Sequence, residues 1–289
     1  MKAVIMAGGK GTRLRSVSEE LPKPMVPVLG RPILEYQIRC LQSCGITDIT
    51  IVTGYKAEYI HSYFGDGSKL QVHISYIHED QPLGTAGALY YLREEPQEDI
   101  LLIMGDLMLS VDFVRFMDAH RRMGGRVTLF THPNAHPYDS DIIVTDRVGR
   151  LEDFTEDVCG EAVPVSVPRR DPRVLGVLSK SEERHDYYHN MVNSGIYALS
   201  MEVIRSIKEP VKLDLDKDII RPLIAEGQVM AYHSTEYVKD MGTPERYGSV
   251  SRDIESGLVR ARDLRQRQKA IFLDRDGTIN RYVGFLRRP

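Results

Sequence analysis

The sequence predicts an α/β fold: a mostly parallel, doubly wound sheet, with a smaller mixed-β part following it. Three observations point there. Short apolar runs alternate with segments of helical periodicity through Pro133. The first run, residues 3–7, passes straight into a loop of glycines and basic residues, Gly8-Gly9-Lys10-Gly11-Thr12-Arg13. The middle of the chain then changes to strand-like runs with little helix between them. Strand and helix in turn imply right-handed crossovers and a sheet covered on both faces.

Each element follows from its own pattern. AVIMA (3–7) reads as a strand. Pro32 opens a helix over RPILEYQIRCLQSCG (31–45), because proline suits a first turn, Ile33, Leu34, Ile38 and Leu41 share a face, and Gly45 stops it. DITIVTG (48–54) is a strand and KAEYIHSYFG (56–65) a helix. VHISYI (72–77) is a strand, TAGALYYLREE (85–95) a helix and DILLIMGD (99–106) a strand. Ser110 is expected to cap the helix of VDFVRFMDAHRRMGG (111–125), and RVTLFTH (126–132) returns to strand. DIIVTD (141–146), GRLEDFTE (149–156) and MVNSGIYALS (191–200) read as strands, with residues 157–190 a long loop or irregular insertion. DLDKDIIRPLIAEG (214–227) is helical and QVMAYHS (228–234) a strand. The expected organisation is one domain over 1–248, a charged helical linker over 249–268, and the start of a second domain over 269–289.

Bulk properties exclude several classes. The 289 residues are 42% hydrophobic and 27% charged, with a net charge of −3, so no broad basic face marks a nucleic-acid partner. No apolar run approaches the roughly 20 residues of a membrane span. The N-terminal apolar stretch is too short for a secretory signal, which predicts a cytoplasmic protein. The three cysteines, Cys40, Cys44 and Cys159, form no CxxC and no Cys/His cluster, and are expected to be buried thiols.

A parallel sheet places its ligand beyond the carboxyl ends of its strands, so Gly8, Gly9 and Gly11 stand at that rim. Glycines let backbone N–H groups approach an anion, and Lys10, Arg13 and Arg15 add charge. The loop should hold phosphates. It is not a P-loop, and Leu14 stands where a dinucleotide fingerprint would need its third glycine.

AGGKGTRL (7–14) followed by Leu21-Pro22-Lys23-Pro24-Met25 resembles the signature of sugar-1-phosphate nucleotidylyltransferases. The resemblance continues, in order, through PLGTAGAL (82–89), MGDLM (104–108), VNSGIY (192–197) and VKDMGTPERY (238–247). It implies a Rossmann-like nucleotidyltransferase fold with a smaller mixed-β sugar-binding part. It also implies attack of a sugar-phosphate oxygen on the α-phosphorus of a nucleoside triphosphate, releasing pyrophosphate. Such chemistry needs alignment and charge neutralisation more than covalent help. By resemblance the catalytic cations are Arg13, on the departing phosphates, and Lys23, on the transferred one. Ala7, Gly8, Gly9, Gly11, Thr12, Arg13, Gln81, Gly84, Thr85, Gly87 and Asp106 would bind the nucleotide. Asp106 and Asp240 would share one Mg2+, a hard ion suited to carboxylates plus substrate phosphates. Asn193 and Glu156 would face the sugar. The family's usual F-x-E-K-P string is here Phe154-Thr155-Glu156-Asp157, so its lysine is absent. Lys180, Arg169 or Arg170 could replace it, or the acceptor is held differently.

The tail, IFLDRDGTIN (271–280), resembles the first motif of haloacid-dehalogenase-type phosphatases of the heptose-bisphosphate and histidinol-phosphate branch. Asp274 would be its nucleophile and Asp276 its acid/base, inert here because the other motifs are missing. Such a tail suggests a longer chain with two consecutive steps of a heptose pathway. Together with HPNAHPYDSDII (132–143), it makes the implied reaction transfer of GMP from GTP to D-glycero-D-manno-heptose 1-phosphate, feeding cell-surface glycan synthesis. The alternatives are a mannose- or glucose-1-phosphate nucleotidylyltransferase, a bifunctional chain that is mainly a sugar phosphatase, and a non-catalytic binding module. Expected partners are the two substrates, with a homo-oligomer possible.

Overall fold

A computed structural model of the chain describes residues 1–9, 21–96, 99–133, 142–145, 173–178 and 190–267. β1 (Lys2–Met6) lies at the centre of the main sheet. A short hairpin of β2 (Pro27–Val28) and β3 (Arg31–Pro32) leads into α1 (Ile33–Ser43). β4 (Asp48–Thr53), α2 (Ala57–Phe64) and β5 (His73–His78) follow, then β6 (Asp99–Met104). β5, β4, β1 and β6 are parallel neighbours, in register so that Met6 is level with Val52 and Met104. Their carboxyl ends therefore form one rim.

β7 (Leu107–Ser110) turns back from β6, and α3 (Phe113–Met123) precedes β8 (Val127–Pro133). The remaining strands are β9 (Ile142–Thr145), β10 (Val174–Leu178) and the ten-residue β11 (Met191–Ser200). β11 runs antiparallel to β6, β8 and β9, which turns the parallel sheet into a mixed one at this side. α4 (Met201–Ser206) and α5 (Arg221–Ala225) lead to β12 (Val229–His233), which pairs in parallel with β8. β13 (Tyr237–Asp240) pairs antiparallel with β7, and α6 (Pro244–Glu255) and α7 (Leu258–Ala261) complete the described chain.

The predicted α/β class with a sheet covered on both faces is what the chain adopts. One core packs Ala3, Ile5, Ile49 and Leu101 of the sheet against Leu34, Ile38 and Leu41 of α1, Ile60 of α2 and Phe116 of α3. The other packs Val4, Val52, Leu102 and Leu199 against Leu89, Val203, Ile204 and Ile220. Alternate residues of each strand feed opposite cores, as the two-residue side-chain period requires. Among the described residues, no helix is long and apolar enough to cross a membrane.

Four local expectations change. Asp112, not Ser110, caps α3: its carboxylate accepts the Arg115 N–H at 3.1 Å, while the Ser110 hydroxyl ends β7 and bonds Asp263 at 3.0 Å. The helix expected over 85–95 is a tight 3-10 helix, Gly87–Leu92: the Ala86 carbonyl accepts from Leu89 three residues on, while the Thr85 and Ala86 N–H groups are taken by the Leu213 carbonyl of the crossing segment. Within the stretch read as helical over 214–227, Leu215–Ile220 is a π-helical turn before α5. Pro222 there has no N–H for the carbonyl four residues back. Within the expected insertion, residues 174–178 form β10 against β9. The run 149–156, the rest of the insertion and the tail strand lie outside the described residues.

Residues 249–267 carry the end of α6, then α7. Val250 is fully buried against Val26, Val28, Ile33 and Tyr237, and the Tyr247 hydroxyl donates to the Pro27 carbonyl at 2.6 Å.

Candidate functional site

Four strand ends build the rim. β1 continues as Ala7, whose N–H bonds the Val52 carbonyl at 2.8 Å, and then opens into Gly8 and the exposed Gly9. β4 ends beside it, with Tyr55 N–H on the Gly8 carbonyl at 3.3 Å. β5 ends in Glu79, held by the Thr53 carbonyl at 2.8 Å. β6 ends in the Gly105-Asp106 turn, where Gly105 N–H reaches the Met6 carbonyl at 2.9 Å. The approach is close. A Cβ on Gly105 would lie 2.7 Å from the Met6 oxygen, and one on Gly8 would lie 2.5 Å from Glu79 Oε2. Glycine is what lets these backbones meet.

Lys23 stands in a 3-10 turn, Lys23–Met25, between Pro22 and Pro24. Its ammonium is ion-paired and hydrogen-bonded to Asp106 Oδ2, so the predicted cation and the predicted metal-binding carboxylate meet at one point. The lysine side chain is only 12% exposed, which holds it in that position. Asp240 arrives from β13. Its neighbour Met241 donates its N–H to the Asp106 carbonyl at 2.9 Å, and Asp240 itself is paired with Leu107 across β13 and β7. The two aspartates therefore occupy adjoining strand ends. Asp240 is also ion-paired: Arg246 Nη1 lies 2.7 Å from both carboxylate oxygens, and Gly242 N–H bonds Oδ1 at 3.0 Å.

Two partly exposed carboxylates at one rim are hard oxygen donors of the kind Mg2+ takes, the ion drawing its remaining ligands from phosphates and water. Among the described residues, no group of three or more His, Cys, Asp or Glu is gathered that could hold an ion without such help. Lys23 and Arg246 now neutralise the pair, so an arriving cation would compete with both.

The PLGTAG stretch has a structural basis that the sequence did not show. Gly84 has φ +77°, and its Cβ position is 2.2 Å from the Leu213 carbonyl oxygen. Gly87 would place a Cβ 2.0 Å from the Val211 oxygen. Thr85 and Ala86 N–H groups bond the Leu213 carbonyl at 3.0 and 3.1 Å, and Thr85 Oγ1 accepts Leu215 N–H at 2.7 Å. The segment 211–215 thus threads across the glycines, leaving Gln81, Gly84 and Thr85 exposed at the rim. Gly87→Ala is expected to destabilise the fold by about 2–4 kcal/mol, since the clash is with backbone. A chemical-denaturation midpoint equal to that of the unsubstituted protein would contradict this.

Asn193 lies on the N-terminal half of β11, where the pairing with β8 jumps from Asn193↔Thr131 to Tyr197↔Leu129. The asparagine spans this bulge, accepting Gly195 N–H at 3.1 Å and donating to the Tyr197 hydroxyl at 2.9 Å. Burial pushes that phenol up to about 12, so it stays a neutral partner for the amide. Gly195, at φ +82°, packs on Met104 and Leu107, the residues flanking the Asp106 turn. Asn193 is thereby held beside the rim. Gly11, Thr12, Arg13, Glu156, Lys180, Arg169, Arg170, Asp274 and Asp276 lie outside the described residues.

Three positioning residues went unread in the sequence. Gln37 is fully buried, and its Nε2 donates to the Met104 carbonyl at 3.0 Å and to the Leu107 carbonyl at 2.7 Å, clamping both sides of Asp106. Its signal was a lone amide inside the apolar stripe of α1. Glu79 ties Leu83 N–H at 3.1 Å while its other oxygen faces Gly8, so it links the glycine loop to PLGTAG. Burial raises its carboxyl above the ordinary value. Arg246 sits one turn into α6, six residues after Asp240, and nothing local in sequence marks it as that aspartate's partner.

Known proteins share this architecture. The chain is 29% identical to mannose-1-phosphate guanylyltransferase of Mycobacterium tuberculosis over 266 residues, 91% of this chain and 67% of that protein. It is also 29% identical to D-glycero-alpha-D-manno-heptose 1-phosphate guanylyltransferase of Aneurinibacillus thermoaerophilus, over 88% of this chain and 99% of that one. The crystal structure of HddC from Yersinia pseudotuberculosis complexed with GMP-PN matches with a TM-score of 0.66 at 25% identity, covering 88% of this chain and 99% of that one. A family profile described as nucleotidyl transferase matches residues 2–257. That span runs from β1 through the end of α6 and includes every strand end of the rim: the chain belongs to the nucleotidyl transferase family.

Proposed function

We propose that this sugar-1-phosphate nucleotidyltransferase moves GMP from GTP to D-glycero-D-manno-heptose 1-phosphate and releases pyrophosphate. The observation that carries the reading is the convergence of Gly8, Lys23, Asp106 and Asp240 on one rim of the sheet. The base and sugar are those in the name of the Aneurinibacillus relative, which the chain spans almost end to end. The Mycobacterium relative supports mannose 1-phosphate as the second reading.

In this reading the glycine loop, with Gly11, Thr12 and Arg13, cradles the triphosphate. Gln81, Gly84, Thr85 and Gly87 take the nucleoside. Lys23 binds the transferred phosphate and holds it in line with the sugar-phosphate oxygen. Asn193, with its amide fixed by Gly195 and Tyr197, meets a sugar hydroxyl; Glu156 and Lys180 join it from outside the described residues. Asp106 and Asp240 would hold Mg2+, which supplies charge neutralisation for the phosphates when bound. The protein's own part is to place the two anions together and to keep donors aimed at the charge that develops between them. The matched family ends at residue 257, and the comparisons lend the phosphatase reading of the tail no support.

The test is pyrophosphate release with Mg2+, crossing GTP, ATP, CTP, UTP and dTTP with both anomers of heptose, mannose and glucose 1-phosphates. Turnover at least about tenfold higher with GTP and a heptose phosphate supports the reading. A preference for a hexose phosphate keeps the reaction class and overturns the heptose assignment. No turnover with any pair overturns the reaction.

A further inference from the structure

α1 ends at Ser43, and two cysteines stand at its last turn: Cys40 within the helix and Cys44 at the cap. The structure separates what the sequence left as equivalent buried thiols. Cys40 is 6% exposed, with its Sγ 3.4 Å from both the N–H and the carbonyl oxygen of Val111. Cys44 is partly exposed, and its Sγ lies 3.3 Å from Arg265 Nη1. The guanidinium comes from the segment after α7. Asp263 holds it there through Nε–Oδ1 at 2.9 Å and Nη2–Oδ2 at 2.7 Å, and Ser43 Oγ accepts from Nη1. The two sulfurs share a neighbour: Cys40 Sγ lies 3.4 Å and Cys44 Sγ 3.5 Å from the Val111 carbonyl oxygen. A guanidinium fixed by a carboxylate thus meets one accessible sulfur, and a second thiol stands beside it. These are the surroundings that favour a thiolate.

We propose that Cys44 is a modification site, a nucleophilic thiolate that attacks hydroperoxides and soft electrophiles, with Cys40 placed to close a disulfide onto the oxidised sulfur. In the first step Cys44 sulfur bonds the terminal peroxide oxygen as the O–O bond breaks. The sulfur is oxidised to a sulfenic acid, and the peroxide is reduced, leaving as water or an alcohol after taking a proton. In the second step Cys40 gives up its proton and its sulfur attacks Cys44. The S–S bond forms, the S–O bond breaks, and hydroxide leaves with that proton as water.

The electrostatics agree with this division of labour. The neighbouring Cys40 thiol, then the Phe113 amide and Arg265, outweigh burial and bring the Cys44 thiol down to about 6. Pairing with Cys44 and burial push Cys40 well up. Asp263 is committed to Arg265, and the Asp112 carboxylate is turned onto the Arg115 N–H. Side chains four apart on a helix have Cβ atoms about 5–6 Å apart, more than the roughly 3.5–4.5 Å of a disulfide. Both sulfurs lie on the same Val111 carbonyl oxygen, at 3.4 and 3.5 Å, so the bond asks for movement of the last helical turn, residues 41–44, alone.

The experiment uses the full chain carrying Cys159→Ser, with peptide mapping by mass spectrometry. Iodoacetamide should label Cys44 with a midpoint near pH 6, and at pH 7 at least about tenfold faster than Cys40. Hydrogen peroxide should lower the mass by two hydrogen atoms, restored by dithiothreitol. Cys40→Ser should instead give a dimedone-trapped sulfenic acid on Cys44. Arg265→Gln should raise the alkylation midpoint and slow labelling at pH 7 several-fold. An alkylation midpoint at the free-thiol value of about 8.5, or no labelling of Cys44 in the folded chain, overturns the nucleophile. A sulfenic acid that persists without a disulfide in the Cys159→Ser protein overturns the role given to Cys40.

Discussion

Lys23→Ala is expected to lower the turnover of pyrophosphate release by about 10²- to 10³-fold, the usual loss when one fixed donor is removed from a developing oxyanion. Two features make the effect large. The lysine is nearly buried and set between two prolines, so its ammonium is held where it stands. It also neutralises Asp106, so its removal leaves that carboxylate facing the phosphates unpaired. The loss should fall on kcat more than on KM, because the charge Lys23 answers is greatest in the transition state. A loss below tenfold would reject direct contact with the transferred phosphate.

Asp106→Asn should abolish Mg2+-dependent turnover, a fall of at least about 10³-fold, with little change in stability. The substitution keeps size and shape. It also leaves in place the backbone contacts that make the turn: Met241 N–H on the residue-106 carbonyl, and Gln37 on the carbonyls of residues 104 and 107. A carboxylate one-third exposed contributes little to the fold through its ion pair. Activity and the circular-dichroism melting curve, measured together, separate the outcomes. Unchanged turnover removes Asp106 from the metal site. An unfolded variant would show that the Lys23–Asp106 pair holds the turn itself.

The same residues show how far the amino-acid pattern alone reaches. The fold class was legible because strand and helix periods differ, and because α1, α2, β4 and β5 each carry their pattern between clear stops. The site was legible wherever a motif is contiguous: Gly8, Lys23, Asp106 and Asp240 each sit inside a short run whose position at a strand end follows from the parallel sheet. What the sequence hid were the non-local ties. Gln37 acts 67 and 70 residues away, and Arg265 reaches Cys44 across 221. The motif gives Gly84 and Gly87 a nucleotide-facing role, but it did not show that their Cβ positions are also filled by the backbone of residues 211–213.

By itself, then, the sequence determined the α/β class, the glycine-lined rim and the identity of the charged groups brought there, since local periodicity and contiguous motifs depend on neighbours in the chain. Only the tertiary structure decided which charges meet. Lys23 on Asp106, Arg246 on Asp240 and Arg265 on Cys44 are set by the packing of β1, β6, β7, β13 and the helices after them. Hydrogen bonds form only within about 3 Å and salt screens charge attraction beyond about 10 Å, and separation along the chain carries no information about either distance.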